Sequence, residues 1–136
     1  MHPRNRLFVT LGLIYGLLGG LLALVGLADP ALLPGDVARA HAHLMLLGLV
    51  LMNLYGIGLH VLPRFAGYAL RSEHLAWAQF WLANAGLALL APGMALGVRA
   101  LALAGGMLPW ISLALFALRL WPVLWPRPSS LRAAHG

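Results

Sequence analysis

Cysteine and lysine are both absent from these 136 residues, and the acids number three: Asp29, Asp36 and Glu73. Without cysteine, disulfides, thiolate metal ligation and iron–sulfur clusters are excluded. None of the three acids lies inside an apolar run, so the carboxylates that couple protons or cations in a transporter are missing, and Asn53 and Asn84 are the main polar groups there. Without lysine, the formal charge of +6 rests on nine arginines. They sit singly at the ends of apolar segments rather than in a patch. That placement argues against a nucleic-acid partner and for topology signals and lipid-headgroup contacts.

What is present is mostly hydrocarbon. Hydrophobic residues make up 62% of the chain and the mean hydropathy is +0.87. Apolar stretches of about 20 residues, nearly free of charge, are the signature of spanning helices. The pattern predicts an all-α integral membrane protein, a single domain over residues 1–136 with transmembrane helices at about 6–27, 37–62, 73–97 and 99–125. The breaks fall at Asp29-Pro30 through Pro34-Gly35-Asp36, at Pro63-Arg64 and at Gly97, and Asp36 is expected to cap the second helix. The first run, Leu7 to Leu27, is long enough to span and no A-x-A-like cleavage site follows it, so it reads as a helix rather than a signal peptide. Gly12, Gly16, Gly19 and Gly20 in the first helix, and Gly48, Gly56 and Gly58 in the second, predict close helix packing.

The arginines also give a direction. Arg4, Arg6, Arg64, Arg71, Arg127 and Arg132 fall on one side, with Arg119 expected to snorkel towards it; Arg39 and Arg99 fall on the other, with Asp29 and Asp36. The positive-inside rule then puts both termini in the cytoplasm of a prokaryotic cell, in the inner membrane. Trp77, Trp81, Trp121 and Trp125 cluster at the same predicted inner boundary, as an aromatic belt does.

The pair His41-Ala42-His43 sits near the outer end of the second apolar run. An ionisable side chain inside the membrane marks a functional site by default. Residues two apart on a helix point about 200° apart, so these imidazoles face nearly opposite ways and cannot easily chelate one ion from one helix. Neutral imidazole is a common ligand of haem iron, copper and zinc. The helical stripe through His41 continues as Met45, Gly48, Met52, Tyr55 and Leu59. His60 lies roughly 25–29 Å from the pair along the axis and cannot share its ligand. With His74 across a short loop it is a candidate second metal or haem site, against the plainer reading of interface hydrogen bonding. His2 and His135, in the terminal tails, receive no role.

The stretch ARAHAHLMLLGLVLMNLYGIGLHVLPRFAG, Ala38 to Gly67, resembles the tenth helix of the catalytic subunit of nitric oxide reductases and haem–copper oxidases. The resemblance rests on the H-x-H-L segment, Gly48, Met52-Asn53-Leu54 and Pro63-Arg64, about 30 of 136 residues. More loosely, the H-A-H-x-M-x-x-G run is similar to the nitric-oxide-response membrane haem protein family called NnrS. In the first family one histidine of the pair binds the high-spin haem and the other the low-spin haem, and twelve helices form three arcs of four. The resemblance therefore implies one such arc, built as a homotrimer or alternatively a homodimer. In that assembly His41 of one copy and His43 of the next would hold a haem b between them. Arg39 and Arg99 would meet the propionates, the alternative for both being plain anchoring at the outer interface; Met45 and Gly48 would lie on the cofactor face, and Trp110 or Met94 would pack against the ring. The further metal-site histidines and glutamates of those enzymes have no counterpart, so a self-sufficient oxidase or nitric oxide reductase is not expected.

Three functions compete at this point. A membrane cytochrome b would carry electrons to or from a redox partner, or respond to redox state or nitric oxide. A copper protein would use His41 and His43 with Met45, Met94 and Met107. A helper subunit of a respiratory complex would carry no cofactor.

Overall fold

The computed structural model describes residues 1–67 and 72–125. The predicted arginines Arg71, Arg127 and Arg132, and His135, lie outside the described residues. Four helices are long and apolar enough to cross a membrane: α1 (Pro3–Ala28), α2 (Val37–Phe65), α3 (Glu73–Ala95) and α4 (Arg99–Leu124).

Their ends follow from local chemistry. Pro3 begins α1, where a missing N–H leaves nothing unsatisfied. The Asp36 carboxylate accepts from the Arg39 N–H at 2.9 Å and so caps α2 as expected. The Ser72 hydroxyl accepts from the Leu75 N–H at 3.3 Å, and Glu73 places negative charge in the first turn of α3. Gly97, at φ +71°, turns the chain from α3 into α4.

Two expectations are corrected. Pro63 does not end α2, which runs on to Phe65. A proline this near a helix end forfeits one hydrogen bond, and α3 and α4 carry Pro92 and Pro122 in the same way, while Pro109 lies mid-helix in α4. Nor does Arg119 snorkel outward along the lipid face. It is 8% exposed and donates to Gln79 Oε1 at 3.0 Å.

The helices alternate in direction. Gly26, Gly19, Gly16 and Gly12 of α1 meet Val37, Met45, Leu49 and Asn53 of α2 in reverse order. Gly93 and Gly105 bring the α3 and α4 backbones together; a Cβ on Gly93 would stand 2.5 Å from the Ala102 nitrogen. In lipid no hydrophobic force drives helices together, so such small-residue contact supplies the association. One aromatic from each helix closes the centre: Phe8, Tyr55, Phe80 and Phe116, with ring centroids 5.5 Å (Phe8–Tyr55), 5.1 Å (Phe8–Phe80) and 4.8 Å (Tyr55–Phe116) apart. At one end of the bundle, the Gly35 and Asp36 N–H groups donate to the Ala95 and Met94 carbonyls at 3.0 and 2.8 Å. The 29–36 loop thereby satisfies the open end of α3.

Between the charged ends of the bundle the outer surface is largely apolar. Leu17, Leu24 and Leu27 on α1, Leu46 on α2 and Leu103 on α4 are each at least 60% exposed. Such a surface suits a bundle of helices long and apolar enough to cross a membrane.

Candidate functional site

The first turns of α2 carry the histidine pair, and the two rings do separate jobs. His41 Nδ1 lies 2.8 Å from the Gly19 carbonyl of α1. His43 Nδ1 lies 2.8 Å from the Arg39 carbonyl one turn back on its own helix. A carbonyl oxygen only accepts, so each Nδ1 carries the proton. Each Nε2 is then a bare lone pair, and no hydrogen bond engages either one among the described residues. Metal-binding histidines are held in this tautomer by the same device.

The rings also open onto different grooves. His41 lines one of about 660 Å³ between α1 and the 29–36 loop, with Ala23, Gly26, Pro30 and Asp36. His43 lines one of about 760 Å³ between α2 and α4, walled by Leu47, Leu54, Met94, Met107, Trp110 and Leu113 among others. No residue belongs to both. Trp110 and Met107 are 73% and 66% exposed, so the second groove faces outward from the bundle.

Directly after His43 the helix widens: Leu44–Leu51 is π-helical, with Leu44 and Gly48 turned inward. Such segments are rare and concentrate at functional sites. Met45 and Gly48 lie along the α1 seam, Met45 against Gly19 and Gly48 against Tyr15, rather than on the His43 groove. Arg39 is exposed and pairs with Asp36 at 3.2 Å; Arg99 is exposed at the start of α4. Both stand at the histidine end, about one turn beyond His43 and Leu103 respectively.

His60 differs from the pair. Its Nε2 faces Arg64 Nη1 at 3.1 Å, and a guanidinium only donates, so that lone pair is occupied. His74 is exposed in the first turn of α3 and does not line the cleft that holds His60. Among the described residues no three of His, Cys, Asp and Glu gather into a metal site. Asn84 bridges helices, accepting from the Tyr15 hydroxyl at 2.9 Å and donating to the Phe80 carbonyl at 2.7 Å.

Sequence reasoning missed a buried polar cluster at the opposite end. Arg4 pairs with Glu73 and donates to Asn5 Oδ1 at 3.1 Å; Ser112 donates to the Gln79 carbonyl at 3.0 Å; Arg119 bonds Gln79. The signal was there in Gln79, Ser112 and Arg119, polar exceptions within apolar runs. No protein-family model matches the chain, and neither curated proteins nor solved structures match it significantly.

Proposed function

We propose that this chain is a multi-pass protein of a prokaryotic inner membrane, both termini cytoplasmic, that binds haem b between copies of itself. His43 of one copy and His41 of its neighbour would each give an Nε2 to the iron. The observation that carries this reading is the tautomer. Both rings spend their Nδ1–H on a backbone carbonyl and keep Nε2 unengaged, while His60 does not.

The walls of the His43 groove suit a porphyrin: apolar, aromatic at Trp110, and open outward so that a neighbouring copy can close it. Arg39 and Arg99, exposed at the histidine end, would meet the two propionates. The opposed directions of the rings favour a ring of copies, each facing two neighbours. Three copies are preferred on the sequence resemblance, with two as the alternative. When bound through two imidazoles, haem supplies one-electron chemistry with no open coordination position. The role that follows is electron transfer or a redox response, including one within nitrogen-oxide respiration.

The test is optical. Protein expressed with sufficient haem should show a Soret band, one haem per copy by pyridine haemochrome, and a ferrous spectrum unchanged by carbon monoxide. Colourless protein would end the proposal. A copper reading is favoured by one further observation, that His43 shares its groove with Met94 and Met107, an imidazole and two thioethers. Copper found by metal analysis without a haemochrome would select it.

A further inference from the structure

At the end of the bundle away from the histidine pair, a cleft of about 440 Å³ is lined by Arg4, Arg64, Arg119, His2, His60 and Glu73, among others. Three guanidiniums and one carboxylate leave it two positive charges in excess. Arg64 and Glu73 are exposed, whereas Arg4 and Arg119 are only 4% and 8% exposed. Arg4 has Glu73. Arg119 has no carboxylate within ion-pair distance among the described residues, because the other two acids, Asp29 and Asp36, belong to the far loop. Its one hydrogen bond there goes to a neutral amide. A buried charge left with a neutral partner is costly, and such groups are normally paired.

The unsatisfied groups share a sign. Arg4 Nε, Arg119 Nε and Gln79 Nε2 are buried with no hydrogen-bond partner, and every one of them is a donor. Two of them belong to residues of the cleft wall, and Gln79 is hydrogen-bonded to Arg119 of that wall. A set of buried donors lacking acceptors is completed by an anion with several oxygens. The guanidinium fork matches phosphate in particular, and basic pockets between membrane helices take lipid head groups by this chemistry.

We propose that this cleft is a binding site for a phosphate group, carried either by an anionic phospholipid or by a free phosphate, with Arg119 as its central ligand. Arg4 supplies a second donor edge and Arg64 guards the rim. Trp77, Trp81, Trp121 and Trp125 are exposed around the same end, at the level where head groups would lie.

The experiment uses full-length protein purified in non-ionic detergent. Native mass spectrometry after titration with phosphatidylglycerol or with phosphatidylcholine reads the lipid arm. Thermal unfolding with and without inorganic phosphate, against chloride at equal ionic strength, reads the free-anion arm. The wild type should retain phosphatidylglycerol over phosphatidylcholine if the source is lipid, or unfold at higher temperature in phosphate if it is free. Arg119→Gln should weaken the effective ligand at least tenfold, and Arg119→Lys less. Arg64→Gln, on the exposed rim where folding is not at stake, should weaken it several-fold. Failure of the wild type to respond in either arm would overturn the site. So would Arg64→Gln and a folded Arg119→Gln that both bind as the wild type does.

Discussion

At the scale of single residues, the division among the histidines decides what the chain can bind. His41 and His43 are alike in chemistry and unlike in surroundings, and His60 differs from both in having its Nε2 engaged by Arg64. Loss of an outer partner of a metal ligand costs about 10–100-fold in affinity. If the proposed ligation holds, His43→Ala and His41→Ala each remove a ligand itself, so each should lower haem content by more than that, read as Soret absorbance per copy. His60→Ala should leave the absorbance unchanged, since its Nε2 already accepts from Arg64. The H-x-H spacing made the pair conspicuous in the sequence and gave the divergence of the two rings. The carbonyls that fix their tautomers could not be read there, because Gly19 is brought to His41 only by the packing of α1. The buried donors around Arg119 escaped for a related reason: an arginine near a helix end reads as a headgroup contact until the helix beside it is placed.

At the scale of elements, the helices were legible because long apolar runs leave few other solutions in lipid, and the capping role of Asp36 was legible because a loop aspartate preceding such a run has one conspicuous use. Pro63 misled because helix breaking by proline is a rule of water-exposed helices. The π-helical stretch after His43 was not read from the sequence, since an unbroken apolar run such as Leu44–Leu51 looks the same whether its turns are α or π. Packing between elements yields a sharp contrast. A methyl group on Gly105 would strike the Leu90 nitrogen and the Gly86 carbonyl, whereas one on Gly20 meets nothing within 4 Å. Gly105→Ala should therefore cost about 1–3 kcal/mol, the usual range for overpacking. Gly20→Ala should be neutral or stabilising by up to about 1 kcal/mol through helix propensity. Reversible denaturation in detergent micelles measures both.

At the scale of the whole molecule, the absence of cysteine makes orientation directly measurable. Leu32→Cys lies in the loop at the histidine end and is 60% exposed in the wild type, while Phe65→Cys lies at the arginine end, where the wild-type side chain is 87% exposed. A membrane-impermeant maleimide should label Leu32→Cys in cells with a permeable outer envelope, and Phe65→Cys only after the inner membrane is opened. The reverse pattern would put the arginines outside. The count of copies lies beyond both the sequence and a single chain. What the chain does supply is two separate grooves, one with His43 and one with His41, that share no lining residue within one bundle.

That separation is tested most directly by mixing. His41→Ala and His43→Ala chains, each nearly haem-free when expressed alone, should regain haem when co-expressed and co-purified through two different tags. An intact pair then forms wherever a His43 of one variant faces a His41 of the other. Mixed oligomers with a restored Soret band are the predicted result. Confirmed mixed oligomers that stay as colourless as their parents would contradict a haem shared between copies.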